Sequence, residues 1–165
     1  QPLIVGGTGS ISHTEKTPPF MPDKFEAGTP NLPGIIGLAA GVQWLQEQGM
    51  ENLRAHELAL TQQFLSGAEV YEQRGLLKII GKKNCCRRIG VVSLALTKGD
   101  NALAADFLAR KYGIFVRVGL HCAPNAHKTL GTYPAGTLRF SFGWHNTPQE
   151  VQTALKALGE IFEQT

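Results

Sequence analysis

The stretch that decides the fold is Val116–Gly143, which reads VRVGLHCAPNAHKTLGTYPAGTLRFSFG. It overlaps Ile114–Val118, where apolar residues alternate with period two and Arg117 falls on the opposite face, as in a β-strand. Residues 137–142 repeat the pattern and leave a second arginine, Arg139, on the less apolar face. The stretch therefore predicts two strands that each present one arginine.

A cysteine lies in the turn between these strands. Gly119 ends the first strand, and Pro124 is suited to the first turn of a short helix that runs to Leu130, so Cys122 lies near a helix start. Free N–H groups and neighbouring guanidinium groups favour a thiolate, which makes Cys122 a candidate nucleophile. The alternative is a small buried residue without chemistry, because free cysteine is among the most buried residue types.

The two arginines help to decide between a nucleophilic Cys122 and a small buried Cys122. Either one alone is equally well explained as a solvated or ion-paired surface group. On both sides of a turn cysteine they suggest a site for a substrate carboxylate, which a guanidinium binds through two parallel hydrogen bonds. Arg117, Cys122 and Arg139 form such a site only if they converge on one surface.

The composition is that of a domain of ordinary size. A chain of 165 residues can bury a core without a metal or disulfide bonds. The formal net charge is +3, and the basic residues are scattered except in 82–88, which we interpret as a solvated turn. A nucleic-acid partner is not expected, and no segment is long and apolar enough to cross a membrane.

The three cysteines form no disulfide framework, since Cys85 and Cys86 are adjacent. Together with the lack of a signal-like segment, this predicts a location in the reducing cytoplasm. There is no C-x-x-C pair, and His121 adjoins Cys122 too closely for both to bind one metal easily, so no metal site is expected. The first residue is Gln1 rather than Met, which suggests a piece of a longer protein.

The rest of the chain predicts an α/β fold. Residues 1–32 are rich in Gly, Pro, Ser and Thr and read as an irregular arm. Residues 33–48 predict a long helix buried on most sides, and residues 49–165 a two-layer α/β sandwich with a small mixed sheet. The other expected elements are a helix over 51–72, strands over 76–80 and 89–96, a helix over 101–112 with Leu103 on its inner face, and a final helix after the capping box Thr147–Glu150.

Three motifs resemble those of the class V aminotransferase-like enzymes of fold type I, in particular the cysteine desulfurase branch that uses pyridoxal phosphate. Phe25–Asn31, followed by Gly34–Leu38, resembles the stretch leading into the family's long interdomain helix. Arg117–Ala123 resembles the R-x-G-x-H-C-A signature of the desulfurases, and residues 138–147 resemble the segment after it. The motifs occur in family order, so the sequence is identified as the C-terminal portion of such an enzyme.

The resemblance implies a role for each candidate residue. Cys122 is the nucleophile that takes sulfur from cysteine, or from a related amino acid, and carries it as a persulfide, leaving alanine when the substrate is cysteine. Arg139 holds the substrate carboxylate, while Arg117 and His121 adjoin the substrate. A sulfur-acceptor protein is a possible partner.

The resemblance also implies pyridoxal phosphate as the cofactor. The family's Schiff-base lysine lies in a histidine-lysine dipeptide that we expect upstream of this chain, which alone should not turn over. Thr29, next to Gly28, would reach across a homodimer interface to the cofactor phosphate of the partner subunit. Residues 1–32 then belong to the cofactor-binding large domain, residues 33–48 to the interdomain helix, and residues 49–165 to the small domain.

Other functions remain open at this point. Relatives often carry a Gln before the proline that follows the cysteine, whereas Ala123 and Pro124 are adjacent here. A selenocysteine lyase or another class V aminotransferase would also need the carboxylate-binding arginines. A non-enzymatic persulfide carrier would need only the reactive thiol, and a thiol hydrolase would pair Cys122 with His127 or His145.

Overall fold

The computed structural model describes residues 4–11 and 13–163. The chain divides into two compact units, residues 1–48 and residues 49–165. The elements in chain order are α1 (Leu32–Gln48), α2 (Met50–Gln73), β1 (Leu77–Ile80), β2 (Val91–Leu96), α3 (Asn101–Tyr112), β3 (Arg117–Gly119), α4 (Pro124–Thr129), β4 (Thr137–Ser141) and α5 (Pro148–Glu163).

The described part of the first unit contains the irregular arm and one helix. The described residues before α1 form no helix or strand, which agrees with their content of turn-forming residues. Two parts of the arm meet where the Gly28 amide donates to the Gly7 carbonyl over 2.8 Å. Helix α1 begins after Asn31, whose side-chain oxygen accepts from the Gly34 amide at 3.1 Å and so satisfies one free N–H group of the first turn.

The prediction that this helix is buried on most sides is wrong for the chain as described. No residue of α1 is buried, and Ile35, Ile36 and Leu38 are 56%, 68% and 69% exposed. A helix with apolar residues all round needs cover on several sides. In the described part of the first unit, α1 is the only helix or strand, so the unit itself supplies none.

The second unit is a two-layer α/β sandwich, as predicted. Its sheet has the strand order β1-β2-β4-β3, and every neighbouring pair is antiparallel. The prediction of a mixed sheet is therefore wrong. Strands β2 and β3, joined through α3, are parallel to each other, but β4 lies between them and pairs with both, so no parallel neighbours occur.

The core fills the space between the sheet and helices α2, α3 and α5. Phe64 of α2 is fully buried, with ring centroids 4.7 Å from Phe140 and 5.2 Å from Phe142. Aromatic pairs at these separations add to the stabilisation from area burial. The other fully buried apolar residues include Leu60, Leu77, Val92, Leu94, Leu108, Leu138, Val151 and Leu158.

Two local predictions for the second unit are wrong, although its two-layer architecture was predicted. Leu103 is 71% exposed, because the inner face of α3 follows Asn101, Ala104 and Leu108, a spacing of three and four that leaves Leu103 outside. The predicted strand over 114–118 pairs only from Arg117 onward. Before that point the chain leaves β4 and borders a groove of about 280 Å³, and Phe115 is 88% exposed.

The last helix starts as the capping box predicts. The Thr147 amide donates to Glu150 Oε2 at 2.9 Å, and the Glu150 amide donates to Thr147 Oγ1 at 3.3 Å. Pro148 occupies the first helical position, where its missing N–H costs nothing. In the described ranges, no helix of the chain is long and apolar enough to span a bilayer.

Candidate functional site

The pairing of β3 with β4 brings the two predicted arginines together. Arg117 and Arg139 are direct partners in the register, so their side chains leave the same face of the sheet. Arg117 is exposed and Arg139 is half-buried, and Arg139 Nε is a buried donor without a hydrogen-bond partner in the described structure. Like charges directly opposite each other are destabilising, and an unpaired buried donor adds to the cost. An anionic group bound here would relieve both.

The turn after β3 holds two residues in an unusual backbone conformation. His121 has φ 50° and Cys122 has φ 58°, the left-handed region that non-glycine residues seldom adopt. The turn is closed by the Ala123 amide, which donates to the Leu120 carbonyl at 2.8 Å. Each such residue costs about 1–2 kcal/mol. Strain of this kind persists where the surrounding structure enforces it, and it clusters at functional sites.

Cys122 has an accessible side chain at this turn. It is exposed and its thiol is free, which excludes the alternative of a small buried residue. Helix α4 begins two residues later at Pro124, with Ala123 in the N-cap position, so the cysteine does precede a helix start. With six residues α4 is short, and the adjacent strands each contribute one positive charge to this region, Arg117 and Arg139.

His121 lies between the arginines and α4. Its side chain is half-buried, and Nε2 is buried without a hydrogen-bond partner in the described structure. Burial lowers its pKa and a hydrogen bond to the Arg117 backbone raises it, while the charges of Arg139, His127 and Arg117 lower it further. The net direction is downward, so the ring is neutral near pH 7.

The tautomer of this neutral ring follows from the same contacts. Because Nε2 has no partner, we assign the hydrogen bond to the Arg117 backbone to Nδ1. In this assigned tautomer, Nε2 carries the free lone pair. His121 presents a buried hydrogen-bond acceptor one residue before the candidate nucleophile.

A second histidine, His127, lies close to this region. From the sequence we considered it only as a base for a thiol hydrolase. His127 of α4 is only 6% exposed, and its Nδ1 lies 2.7 Å from Thr132 Oγ1. Its ring centroid is 5.8 Å from that of His121. The only signal in the sequence is a histidine in the last turn of a short helix, five residues before a threonine.

The predicted phosphate-binding residues belong to the first unit. Gly28 has φ 86°, and a Cβ at this position would meet nothing within 4 Å, so the backbone faces open space. Thr29 follows it and is exposed. A hydroxyl and an open glycine backbone fit the oxygen atoms of a phosphate group. The glycine-rich segment 6–10 differs, because the Ser10 hydroxyl donates to the Asp23 carboxylate, whose charge disfavours an anion.

The sequence-predicted residues therefore fall into two sets. Arg117 and Arg139 are register partners at the β3–β4 edge of the sheet, their charges act on His121, and Cys122 directly follows His121. Gly28 and Thr29 lie in the arm of the other unit.

Comparisons with known proteins cover nearly the whole chain. The family model described as aminotransferase class-V matches residues 1–154. A probable cysteine desulfurase from Pyrococcus abyssi is 35% identical over 98% of this chain and 39% of its own length. Another from Aeropyrum pernix is 34% identical over 97% of this chain and 40% of its own length.

Solved structures show the same likeness in three dimensions. The apo cysteine desulfurase from Thermococcus onnurineus matches with a TM-score of 0.81 and 32% identity, over 100% of this chain and 40% of that one. The Escherichia coli cysteine desulfurase CsdA, in an S-sulfonic acid form, matches with a TM-score of 0.72 and 26% identity, over 99% and 39%. The chain thus spans about two-fifths of the length of these relatives. By its motifs, its matched residues and its fold, the chain belongs to the class V aminotransferase family.

Proposed function

We propose that the protein containing this chain is a pyridoxal phosphate-dependent cysteine desulfurase that uses Cys122 as its sulfur acceptor. The observation that carries the proposal is the exposed thiol of Cys122 in a strained turn beside the paired arginines Arg117 and Arg139. The overall reaction converts L-cysteine and the Cys122 thiol into L-alanine and a Cys122 persulfide. The names of the matched relatives support this activity.

The reaction exchanges one bond to sulfur for another. The bond between the substrate sulfur and its β-carbon breaks, an S–S bond forms at Cys122 Sγ, and the β-carbon gains a hydrogen, so atoms balance without an external oxidant. Bound pyridoxal phosphate would supply the electron sink for chemistry at the substrate carbon atoms. A thiolate is the reactive form of cysteine.

The substrate carboxylate binds to Arg139 in this proposal. Arg139 is half-buried with an unpaired Nε, so a carboxylate would complete its hydrogen bonds in a partly desolvated setting. Arg117, its partner in the register, adds a second positive charge at the same face. This binding orients the amino acid before any bond changes.

His121 contributes a proton acceptor. Its Nε2 lone pair is buried and unpaired, and the ring is neutral near pH 7 because burial and the neighbouring cations lower its pKa. A neutral imidazole can accept a hydrogen bond or a proton from a thiol at this location. We assign His121 to the substrate and to the Cys122 thiol rather than to the cofactor.

The cofactor phosphate is assigned to Thr29 and Gly28 of the partner subunit in a homodimer. The exposed apolar residues of α1 support such an assembly, because contiguous exposed apolar patches mark contact surfaces. The three free cysteines support a reducing compartment.

The test measures alanine, sulfide and Cys122 persulfide in the full-length protein supplied with cysteine. We expect Cys122→Ala to abolish persulfide and to lower the rate of sulfide release to background. Cys86→Ala, which removes another exposed thiol, should leave the rate unchanged. Sulfide release by Cys122→Ala at the wild-type rate would contradict the assignment of the nucleophile. A keto acid without alanine would indicate a transaminase instead.

A further inference from the structure

His127 of helix α4 forms hydrogen bonds with the loop that follows the helix. The His127 carbonyl accepts from the Thr132 amide at 2.9 Å and from the Tyr133 amide at 3.2 Å, and the His127 ring contacts the Thr132 hydroxyl at 2.7 Å. The side chains of His127 and Thr132 are 6% and 8% exposed. We call these contacts between His127 and residues 132–133 the anchor. The anchor is buried and its polar groups are hydrogen-bonded, so it holds helix α4 rigidly against the following loop.

The strained turn lies at the other end of the same short helix. The His127 amide donates to the Ala123 carbonyl at 3.2 Å, and Ala123 closes the turn that contains His121 and Cys122. A left-handed conformation at two consecutive non-glycine residues needs support from both sides. Strand β3 supports one side, and the anchored helix supports the other.

The two histidine rings connect the anchor to the site directly. Their centroids are 5.8 Å apart with planes inclined by 40°, so the His127 and His121 rings lie in tilted contact. The charged and titratable groups facing His121 are Arg117 from β3, Arg139 from β4 and His127 from α4. Of the three, His127 is the one whose position depends on the Thr132 hydroxyl.

We propose that His127, held by the hydroxyl of Thr132, is a positioning residue that fixes the His121 ring and the turn carrying Cys122. It touches neither substrate nor cofactor and acts through His121. Removal of the anchor lets water reach the His121 ring, so the pKa of His121 rises toward its ordinary value and a larger fraction of the ring is protonated at neutral pH. A protonated His121 has lost the acceptor at Nε2.

The test compares Thr132→Val with Thr132→Ser in the full-length protein. Valine keeps the size of the side chain but removes the hydroxyl, whereas serine retains it. The first readout is the titration midpoint of His121, followed by NMR on protein labelled at histidine and assigned with a His121→Gln variant. We expect an upward shift in Thr132→Val and a wild-type midpoint in Thr132→Ser. Thr153→Val, which removes an exposed α5 hydroxyl, is the control.

The second readout is kinetic and rests on the proposed function. We expect Thr132→Val to lower kcat with cysteine about tenfold, as misplacement of a reacting group does. KM should change by less than about twofold, because the carboxylate site on β4 is unaffected. The NMR titration needs no substrate, so it decides the inference even if the protein proves not to be a desulfurase.

Each outcome is decisive. An unchanged His121 midpoint in Thr132→Val, or an equal shift in Thr132→Ser, would overturn the proposal. If Thr132→Val does not fold, His127→Asn replaces it, since asparagine keeps a polar side chain at position 127 but removes the ring that contacts His121. The same upward shift is then expected, and its absence overturns the proposal equally.

Discussion

Gly136 approaches Gly119 so closely that a Cβ on Gly136 would lie 2.3 Å from the carbonyl carbon and oxygen of Gly119. Gly119 ends β3 and Gly136 directly precedes β4. Both have positive φ, 98° and 72°. This backbone contact sets the relative position of the two strands that carry Arg117 and Arg139, and only glycine permits it.

We therefore expect Gly136→Ala to destabilise the protein by about 2–4 kcal/mol, from left-handed strain and steric overlap together. Gly113→Ala is the matched control, because Gly113 also has a positive φ, 65°, but nothing lies within 4 Å of its added Cβ. It should cost about 1 kcal/mol. Urea unfolding measures the loss in free energy of unfolding for both variants. Equal losses would mean that the close contact between Gly136 and Gly119 adds no steric cost.

Arg139→Lys should raise KM for cysteine about tenfold or more, with a smaller effect on kcat. Lysine keeps the charge but loses the planar pair of donors that matches a carboxylate. Steady-state kinetics of alanine formation measures the effect. Arg110→Lys changes an exposed arginine of α3 that pairs with Asp106, and it should leave KM unchanged. A wild-type KM in Arg139→Lys would remove this residue from the substrate site.

The capping box predicts how stability responds to acid. A hydrogen bond from the Thr147 backbone, then one from the Asn146 side chain, lowers the pKa of Glu150 below its ordinary value. The ionised form is thus favoured in the folded state, so its contribution is complete above the unfolded pKa near 4.5 and disappears as pH falls through the lower folded value. Glu150→Gln should flatten this part of the stability curve.

Urea midpoints between pH 3 and pH 7, about the range in which carboxylates titrate, check the expectation for Glu150. Glu69→Gln, at an exposed position in the interior of α2, is the comparison. If Glu150→Gln and wild type lose stability in parallel over this range, the capping carboxylate is not the cause.

Thr29→Val should weaken binding of pyridoxal phosphate by about tenfold or more, because one hydrogen bond to a charged phosphate is worth about 1.5–3 kcal/mol. Thr29→Ser keeps the hydroxyl and should bind nearly as wild type does. Absorbance titration of the apo full-length protein with the cofactor gives both affinities. Identical affinities for the valine and serine variants would exclude the hydroxyl as a phosphate ligand.

Local patterns predicted most of the second unit. Helix α3 has the expected bounds, and the αL glycine at 113 ends it, because Gly there satisfies the last carbonyls without steric cost. Period-two alternation found the strands, and the two-layer arrangement followed from the order of elements. The placement of β4 between β2 and β3 did not follow, since strand order depends on long-range pairing rather than on any local signal.

The site was predicted in part for the same reason. Arg117, Cys122 and Arg139 lie within 23 positions of one another, so two strands and a turn suffice to bring them to one edge. The sequence does not predict the contact between His127 and Thr132, because histidine and threonine are both common on protein surfaces. Only the structure shows that both side chains are buried. For α1 the apolar pattern predicted burial on most sides, but no residue of this helix is buried in this chain.

The two outer strands of the sheet are short, with three residues in β3 and four in β1, and each presents a cation, Arg117 and Lys78. Unpaired outer strands are where a second chain could join by backbone hydrogen bonds, and brevity and positive charge both oppose that event. Arg117, which adds a positive charge at the proposed substrate site, thus also opposes intermolecular strand addition. Substitutions that make this position neutral and apolar should be judged for solubility as well as for catalysis.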